Sequence, residues 1–367
     1  MKNNHKKIII ATGGTGGHVF PAYNLAKHFI NSNQADVEII SDLRGLKYLK
    51  NYDDIKFIEI ISSTIFKKNI FKIVISMFII FYSVLKSLLI LFIKKPIIVF
   101  GMGGYSSFPV CLAATILRKP FIIYENNLHI GKANKYLLPF AKKIFVSNKE
   151  LEGISDKYRK KVFEIGNIIS KEIINFQNDL NQNRNDKKLK ILILGGSQAA
   201  KVFGEKLIEI FKRLNKEKIS FKIYQQCLPI QNEFLNSLYA ELNIDYEIFN
   251  FSTNILNYFK KSNLAITRSG SSMLAELVNA KIPFISVPLP SSAEDHQLKN
   301  AVYYEKKGYG FLIEEKNLDK KLLQLIIRIN QDGSLLRQMI EKQKEYSDKL
   351  VYENIDKQIA KIINEKY

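Results

Sequence analysis

Ala11-Thr12-Gly13-Gly14-Thr15-Gly16-Gly17-His18-Val19-Phe20-Pro21 is the stretch on which the fold of this chain turns. Ile8 to Ile10 before it form a short apolar run that reads as a buried strand. Ala22 to Ile30 after it read as a helix. Four glycines in five positions let a backbone approach a ligand closely. They also aim free N–H groups and a helix N-terminus at it, the usual cradle for a phosphate or another polar group. A plain turn with a surface histidine has the same local composition, so the rest of the chain decides between the two.

The rhythm continues outward. Val37–Ser41 and Phe57–Ile61 read as strands, and Ile65 to Ile93 as one long apolar helix stopped by Lys94-Lys95-Pro96. Ile97–Phe100 is a strand that opens into Gly101-Met102-Gly103-Gly104-Tyr105, and Phe121–Tyr124 and Ile144–Ser147 are further strands. Asn175 to Lys190 is polar and reads as an exposed stretch between domains. The pattern then restarts. Lys190–Leu194 ends in Gly195-Gly196-Ser197-Gln198, and Leu264–Thr267 ends in Arg268-Ser269-Gly270-Ser271-Ser272. Two halves that each open with strand, glycine turn and helix predict an α/β chain of two Rossmann-like, doubly wound domains facing a central cleft.

The chain has 367 residues, enough for two domains, and its 46% apolar and 25% charged content is that of a globular protein. Cys111 and Cys227 form no CxxC pair, which fits a reducing compartment. The basic start, Met1 to Lys7, precedes an apolar run too short for a signal peptide, so a cytoplasmic location is expected. The net charge of +20 points to nucleic acid, an anionic membrane or an anionic substrate. No acidic residue occurs between Glu59 and Glu125, and that interval is the most apolar in the chain. Nucleic-acid binding calls instead for basic residues interleaved with aromatics around a groove.

On a helical wheel of the long apolar segment, Lys68, Lys72 and Lys86 fall within about 40° of one another. Asn69, Ser76, Ser83, Ser87 and Lys94 lie roughly 60–100° from Lys68. The remainder is apolar and includes Phe71, Ile75, Phe78 and Ile79. Lysines on one face without partners argue against a span. The stripe fits a helix lying in a membrane interface, with Lys68, Lys72 and Lys86 near anionic headgroups; a core helix with a solvated edge is the alternative.

Several chemistries are disfavoured. Neither glycine turn completes the dinucleotide fingerprint, since Val19 and Ser106 stand where the third glycine would be, and Asp42 is a weak candidate for its ribose-binding acid. There is no Walker A sequence, no HExxH, no zinc-spaced Cys/His cluster and no Asp-x-Asp. No metal or cofactor is expected, so helix N-termini would have to neutralise any bound diphosphate. Ser269-Gly270-Ser271-Ser272 suits one. Glu276, about one turn into the following helix, could accept hydrogen bonds from two ribose hydroxyls, although an ordinary N-cap with an exposed glutamate reads the same way.

Taken in order, the motifs resemble those of the MurG family of lipid-linked N-acetylglucosaminyltransferases, within glycosyltransferase family 28. The resemblance is carried by Gly13 to Pro21, by Gly101 to Tyr105, and by Glu125, Asn127, Gly131 and Asn134. It continues through Gly195 to Gln198, Arg268 to Gly270 with Glu276, and Pro288-Leu289-Pro290 with Asp295-His296-Gln297 and Asn300-Ala301. It implies a GT-B fold. An acceptor and membrane-associating domain would span 1–170, with a helix at about 347–367 packing back on it, and a UDP-GlcNAc-binding domain would span 171–346. It further implies an inverting transfer of GlcNAc from UDP-GlcNAc to the 4-hydroxyl of the muramoyl sugar of undecaprenyl-linked lipid I, giving lipid II. The enzyme would work peripherally at the cytoplasmic face of the bacterial inner membrane, against an anionic surface.

Carried over by position, Thr15, Gly16 and Gly17 lie beside the substrates, Asn127 and Gln297 lie at the donor sugar, and His296 is a further substrate-binding candidate. Ser197 and the backbone of Ser271, Ser272, Met273 and Leu274 hold the nucleotide, Glu276 its ribose, and the Ser252 backbone its uracil. His18 is the candidate general base, or else it only orients a loop. The chain departs from the family pattern at Ser170, where an arginine is usual and where Lys171 could substitute, at Ala199 for glycine and at Met273 for threonine. Another GT-B UDP-sugar enzyme, such as a glycolipid glycosyltransferase or a UDP-GlcNAc epimerase, and a non-catalytic nucleotide-sugar-binding protein at the membrane surface are the rival readings.

Overall fold

A computed structural model of the chain describes residues 6–50, 52–64, 69–176, 188–250, 252 and 254–364, and of residues 196–200 the backbone alone. Lys68 and most of the polar stretch between the domains therefore lie outside the described residues, and so does the side chain of Ser197. The chain divides into two compact units, Met1–Ser170 with Asp348–Tyr367, and Lys171–Ser347.

The first unit is built on seven strands: β1 (Lys7–Ala11), β2 (Asp36–Ser41), β3 (Lys56–Glu59), β4 (Ile98–Gly101), β5 (Phe121–Glu125), β6 (Lys143–Val146) and β7 (Val162–Glu164). They form one parallel sheet in the order β3-β2-β1-β4-β5-β6-β7. The central strands are runs of Ile, Val and Phe because both faces are covered, and Ile9, Ile10, Val99, Phe100 and Ile123 are fully buried. The C-terminal helix Val351–Asn364 returns to this unit. Tyr352 Oη donates to Ile169 O at 2.6 Å, His28 Nε2 meets Asp356 Oδ1 at 3.0 Å, and Asp348 Oδ1 accepts from Asn167 N at 2.8 Å.

The second unit holds β8 (Leu189–Leu194), β9 (Phe221–Gln226), β10 (Asp245–Phe249), β11 (Leu264–Thr267), β12 (Phe284–Ser286) and β13 (Gly310–Leu312). Their parallel order is β10-β9-β8-β11-β12-β13. A core of Ile191, Ile193, Phe203, Phe211, Leu264 and Ile266 fills the space between this sheet and its helices. Both units are thus doubly wound α/β domains. Two strands lack a clear sequence pattern. β10 alternates charged and apolar residues with neither face fully buried, and β13 is three residues long and begins with glycine.

The long helix runs over Ile70–Lys94, capped by Asn69, whose Oδ1 accepts from Phe71 N at 2.9 Å. Its packing is the reverse of a soluble amphipathic helix. Ser76, Ser83 and Ser87 are buried against the unit, while Phe71, Ile75, Met77, Phe78, Phe81, Leu89 and Phe92 are each more than half exposed. The serines reach carbonyls: Ser83 Oγ donates to Ile61 O at 2.6 Å and Ser76 Oγ to Lys72 O at 2.7 Å. The helical wheel puts these serines on the same polar stripe as the lysines. The core-helix alternative needs them at a solvated edge, and that is corrected, because small hydroxyls allow close packing and are satisfied inside by backbone carbonyls. Lys72 is exposed, and Lys86 and Ile79 are half-buried. Lys94, at the far end, is held by the buried Glu38, with Nζ–Oε1 2.8 Å.

Candidate active site

In the first unit the strand order reverses between β1 and β4. The C-terminal ends of the two strands at such a point form the usual ligand crevice of an open α/β sheet. Both glycine turns lie there, and they interlock. Gly103 and Gly104 take φ of +90° and +78°. A Cβ on Gly104 would sit 2.5 Å from Gly13 O, and one on Gly103 would sit 2.7 Å from His18 Nδ1. Only glycine fits where one turn crosses the other and where the half-buried imidazole rests. Ser106 Oγ closes the contact by donating to Thr12 O at 2.8 Å.

The first helix begins earlier than the apolar pattern indicates, at Gly16, so His18 lies in its first turn and Pro21 inside it. Thr15 is its exposed N-cap residue, and its carbonyl accepts from His18 N at 3.1 Å. Pro21 has no N–H to give to the carbonyl four residues back, that of Gly17. Asn126 Nδ2 donates to Gly17 O instead, at 2.8 Å.

Asn126 is in turn the end of a chain that starts at Glu125. One Glu125 carboxylate oxygen accepts from Gly131 N at 3.0 Å and Asn134 Nδ2 at 2.9 Å, and the other accepts from Asn127 Nδ2 at 3.1 Å. Asn127 Nδ2 also lies 3.2 Å from Asn126 Oδ1. The buried Glu125 therefore fixes Asn127, and Asn127 and Asn126 connect β5 to the turn that carries His18. Asn126 is a positioning residue that the motifs do not mark. Its partner lies 109 residues away, and only Pro21 hints that Gly17 needs one. Replacing Asn126 with alanine should cost about 1–3 kcal/mol by stripping a donor from Gly17 O. A fall in Tm on thermal denaturation would show it, and an unchanged Tm would count against the link.

Asp42 is no ribose ligand here. It caps the helix Leu43–Leu49 and braces the first turn, its Oδ1 accepting from Gly45 N at 2.9 Å and Gly14 N at 3.0 Å. Burial works to raise its pKa, but hydrogen bonds from Ser62, Gly14, Arg44 and Gly45 outweigh it and hold the carboxyl below the usual range. Ser170 is half-buried and ends the first unit's main segment.

The second unit repeats the arrangement, with its switch point between β8 and β11. The turn after β11 leads into the helix Ser271–Asn279, whose N-cap residue is Gly270 and carries no side-chain cap. The first amides of such a helix point out of its N-terminus and attract an anion. Ser271, Ser272 and Met273 stand there. Leu274 does not share that role, because its N–H already bonds to Gly270 O at 3.0 Å and its side chain is fully buried. Glu276 makes no side-chain hydrogen bond or ion pair among the described residues. Desolvation by its surroundings pushes its pKa up to about 7, although its residue surface is only partly covered. Ser252 lies beyond the end of β10, where its Oγ accepts from Asn254 N at 3.1 Å.

The turn after β12 is held from below. The buried Arg268 donates to Val287 O and Pro288 O, both at 3.2 Å, and pairs with Glu315 at 2.5 Å. The turn then passes through Glu294 and Asp295, both at φ +53°, before the helix His296–Lys306 begins. Consecutive left-handed residues other than glycine are strained, and such strain collects at ligand sites. His296 Nδ1 lies 2.6 Å from Ala293 O, while Gln297 Oε1 accepts from Leu289 N at 3.0 Å and leaves the amide NH₂ to donate elsewhere. Asn300 Nδ2 ties this helix to Ser269 O at 3.2 Å. Among the described residues no group of three or more His, Cys, Asp or Glu side chains could hold a metal ion.

Two family models match the chain: the glycosyltransferase family 28 N-terminal domain over residues 8–146 and the glycosyltransferase family 28 C-terminal domain over residues 190–355. A UDP-N-acetylglucosamine–N-acetylmuramyl-(pentapeptide) pyrophosphoryl-undecaprenol N-acetylglucosamine transferase of Pelagibacter ubique (strain HTCC1062) is 34% identical over 364 residues, which cover 98% of this chain and 99% of that one. A protein of the same name from Rickettsia canadensis (strain McKiel) is 36% identical over 349 residues, covering 93% of this chain and 96% of its own. Among solved structures, the crystal structure of Acinetobacter baumannii MurG has the same fold, with a TM-score of 0.77 at 24% identity over 97% of this chain and 99% of that one.

Proposed function

The chain belongs to glycosyltransferase family 28, in its MurG branch, and from that premise we propose that it transfers GlcNAc from UDP-GlcNAc to undecaprenyl-diphospho-muramoylpentapeptide in peptidoglycan synthesis. The observation that carries this reading is the end-to-end match, over 98% of the chain, to a relative named for that reaction. UDP-GlcNAc is a substrate here and not a cofactor.

The second unit takes the donor. The N-terminus of the helix Ser271–Asn279, with the amides of Ser271, Ser272 and Met273, neutralises the diphosphate, and Ser197 stands in the first turn of the helix Gly196–Lys216 that follows β8. Glu276 accepts from the ribose hydroxyls, the Ser252 backbone meets the uracil, and Gln297 NH₂, with His296 beside it, faces the donor sugar. The first unit takes the acceptor. Thr15, Gly16 and Gly17 line its place, while Asn127 of the same unit is held by Glu125 to meet the donor sugar. His18 removes the proton from the muramoyl 4-hydroxyl as that oxygen attacks the anomeric carbon. The bond to the UDP oxygen breaks on the opposite face, so the configuration inverts and UDP leaves with the electron pair. At Ser170 the charge usual in the family is missing, and Lys171 is the nearest replacement.

The helix Ile70–Lys94 is long and apolar enough to cross a membrane by length and composition. Its serine face is committed to the first unit, so it lies in the interface with Phe71, Ile75 and Phe78 toward lipid and Lys72 toward anionic headgroups. Replacing Phe71, Ile75 and Phe78 together with serine should move the protein off anionic vesicles in a flotation assay without lowering Tm, since all three side chains are exposed. Continued flotation would place the membrane contact elsewhere. The function itself is tested by incubating the protein with labelled UDP-GlcNAc and a lipid I analogue. Label in the lipid fraction supports it, and label that stays in the nucleotide pool overturns it.

A further inference from the structure

The turn after β9 carries a polar cluster that the sequence motifs do not mark. β9 and β10 are parallel neighbours and end together at Gln226 and Phe249. Cys227 N donates to Phe249 O at 2.9 Å and extends their pairing by one step. β10 then opens into the loop that carries Ser252, and β9 into the turn Pro229–Gln231 and the helix Asn232–Glu241. These are the C-terminal ends of the strands, the side on which an open α/β sheet binds its ligand.

Asn232 and Asn250 face each other across the two strand ends and exchange a pair of hydrogen bonds. Asn250 Nδ2 donates to Asn232 Oδ1 at 2.8 Å, and Asn232 Nδ2 donates to Asn250 Oδ1 at 3.1 Å. Asn250 Nδ2 also reaches Cys227 O at 3.0 Å, and Cys227 Sγ donates to the same Asn232 oxygen at 3.1 Å. Desolvation pushes the Cys227 thiol up to about 11, so it keeps the proton that it donates. Gln226 Nε2 completes the cluster by donating to Asn250 O at 3.1 Å. Asn250 is thus held by both its side chain and its carbonyl, two residues before Ser252. Beyond Ser252, Tyr258 of the helix Leu256–Lys261 stacks on Phe249, with ring centroids 3.9 Å apart and planes 17° apart. Both ends of the loop are therefore tied to the end of β10.

The turn is anchored on its other side as well. The buried Gln231 accepts from Leu228 N through Oε1 at 3.2 Å and donates from Nε2 to Lys201 O at 3.1 Å. Lys201 belongs to the helix Gly196–Lys216, whose first turn includes Ser197. A Cβ on Gly204 of that helix would sit 2.5 Å from Gln231 Nε2, so only glycine lets the helix approach this amide. One short turn therefore fixes, in a single frame, the helix start assigned to the diphosphate and the loop assigned to the base. Apolar side chains would also pack these strand ends. A paired amide does more, because its donors and acceptors are satisfied in one arrangement only and a shifted loop leaves them unpaired.

We propose that Asn232 and Asn250 are positioning residues that set the selection of uracil over other bases at the donor site, by fixing the backbone at Ser252. This rests on the reading of the second unit as the UDP-GlcNAc site. Uracil presents a carbonyl oxygen at C4 and an N–H at N3. Cytosine presents an amino group and a bare ring nitrogen at the same places. A backbone amide and carbonyl held against that edge pair with the first pattern and are left unpaired by the second. A loop that shifts by a fraction of a bond length meets neither pattern well and loses the distinction.

Calorimetric titration of the full chain with UDP and with CDP tests this. The parent should bind UDP about tenfold more tightly than CDP. Asn232→Leu and Asn250→Ala each break the amide pair. Each should weaken UDP binding by about tenfold, the effect of one lost hydrogen bond, and CDP binding by less than about twofold, so that the preference collapses. Asn250 is half-buried, and Asn250→Ala decides the matter if Asn232→Leu does not fold. The double variant should bind UDP no more weakly than either single one, since one pair is lost only once. In transfer assays the KM for UDP-GlcNAc should rise while kcat stays within about twofold. An equal fall for UDP and CDP would mark a purely structural role and overturn the proposal. An unchanged preference in the variants, or additive losses in the double variant, would overturn it too. A parent that binds both nucleotides equally overturns the proposal alone, whereas a parent that binds neither overturns the donor-site reading and the proposal with it.

Discussion

Replacing His18 with glutamine is expected to lower kcat by about 10²- to 10⁴-fold, the usual contribution of a positioned general base. UDP-GlcNAc should still bind, because His18 belongs to the unit assigned to the acceptor. The structural basis is the placement of the imidazole in the first turn of a helix, against the backbone of Gly103, where any Cβ would collide with it. A residue whose only task is to hold that turn should be replaceable by glutamine, which keeps polarity and much of the bulk. Steady-state kinetics separates the roles. Loss of kcat together with the acid limb of its pH profile marks a base, whereas a loss under tenfold with the limb retained marks a positioning residue.

Replacing Glu276 with glutamine carries the second large effect. The carboxylate accepts from two hydroxyls and the amide from at most one side, so the KM for UDP-GlcNAc should rise about 10- to 100-fold at pH 8. The effect depends on pH, with a definite sign. Burial raises the Glu276 pKa from 4.5 to about 7, so below pH 7 the parent also loses the ionised acceptor. Its KM should therefore climb as the pH falls through 7, while that of the variant stays flat. Stability moves the other way. Because the folded pKa exceeds the unfolded one, the folded state holds the extra proton, and the parent loses stability as pH rises from 4.5 to about 7. The variant should consequently melt higher than the parent at pH 8 and alike at pH 4.5. A variant with unaltered KM at pH 8 would remove Glu276 from the donor site.

Both expectations rest on residues that the amino-acid sequence already marks, and the reason is physical. A strand of Ile and Val followed by clustered glycines and a helix is a local signal. It locates β1, β4, β8 and β11, and with them both switch points. Glu125, Asn127, Gly131 and Asn134 stand out as a spacing, and the structure gives that spacing one cause, a carboxylate receiving hydrogen bonds from the other three. Long-range complements leave no such mark. Asn126 answers the missing N–H of Pro21, Arg268 holds Pro288, and Asp42 braces Gly14, each across a distance in sequence that periodicity does not register. Asp42 is legible in one respect, as an N-cap before Leu43, since Asp ahead of a short helix is a recognised start signal. The long helix shows a further limit. A wheel finds its polar stripe but not which side of the stripe is dry. Serine stripes pack inward when their hydroxyls can reach carbonyls, as Ser83 reaches Ile61, and this turns the apolar majority outward.

The most direct measurement is the rate of UDP release from UDP-GlcNAc with and without a lipid I analogue, in the presence of chelator. An enzyme whose donor diphosphate is neutralised by a helix N-terminus and whose attacking group is the acceptor hydroxyl should release UDP only when acceptor is present, at one UDP per β-linked GlcNAc on the lipid. UDP release that is equal without acceptor, or isomerisation of UDP-GlcNAc with no transfer, would contradict that central claim.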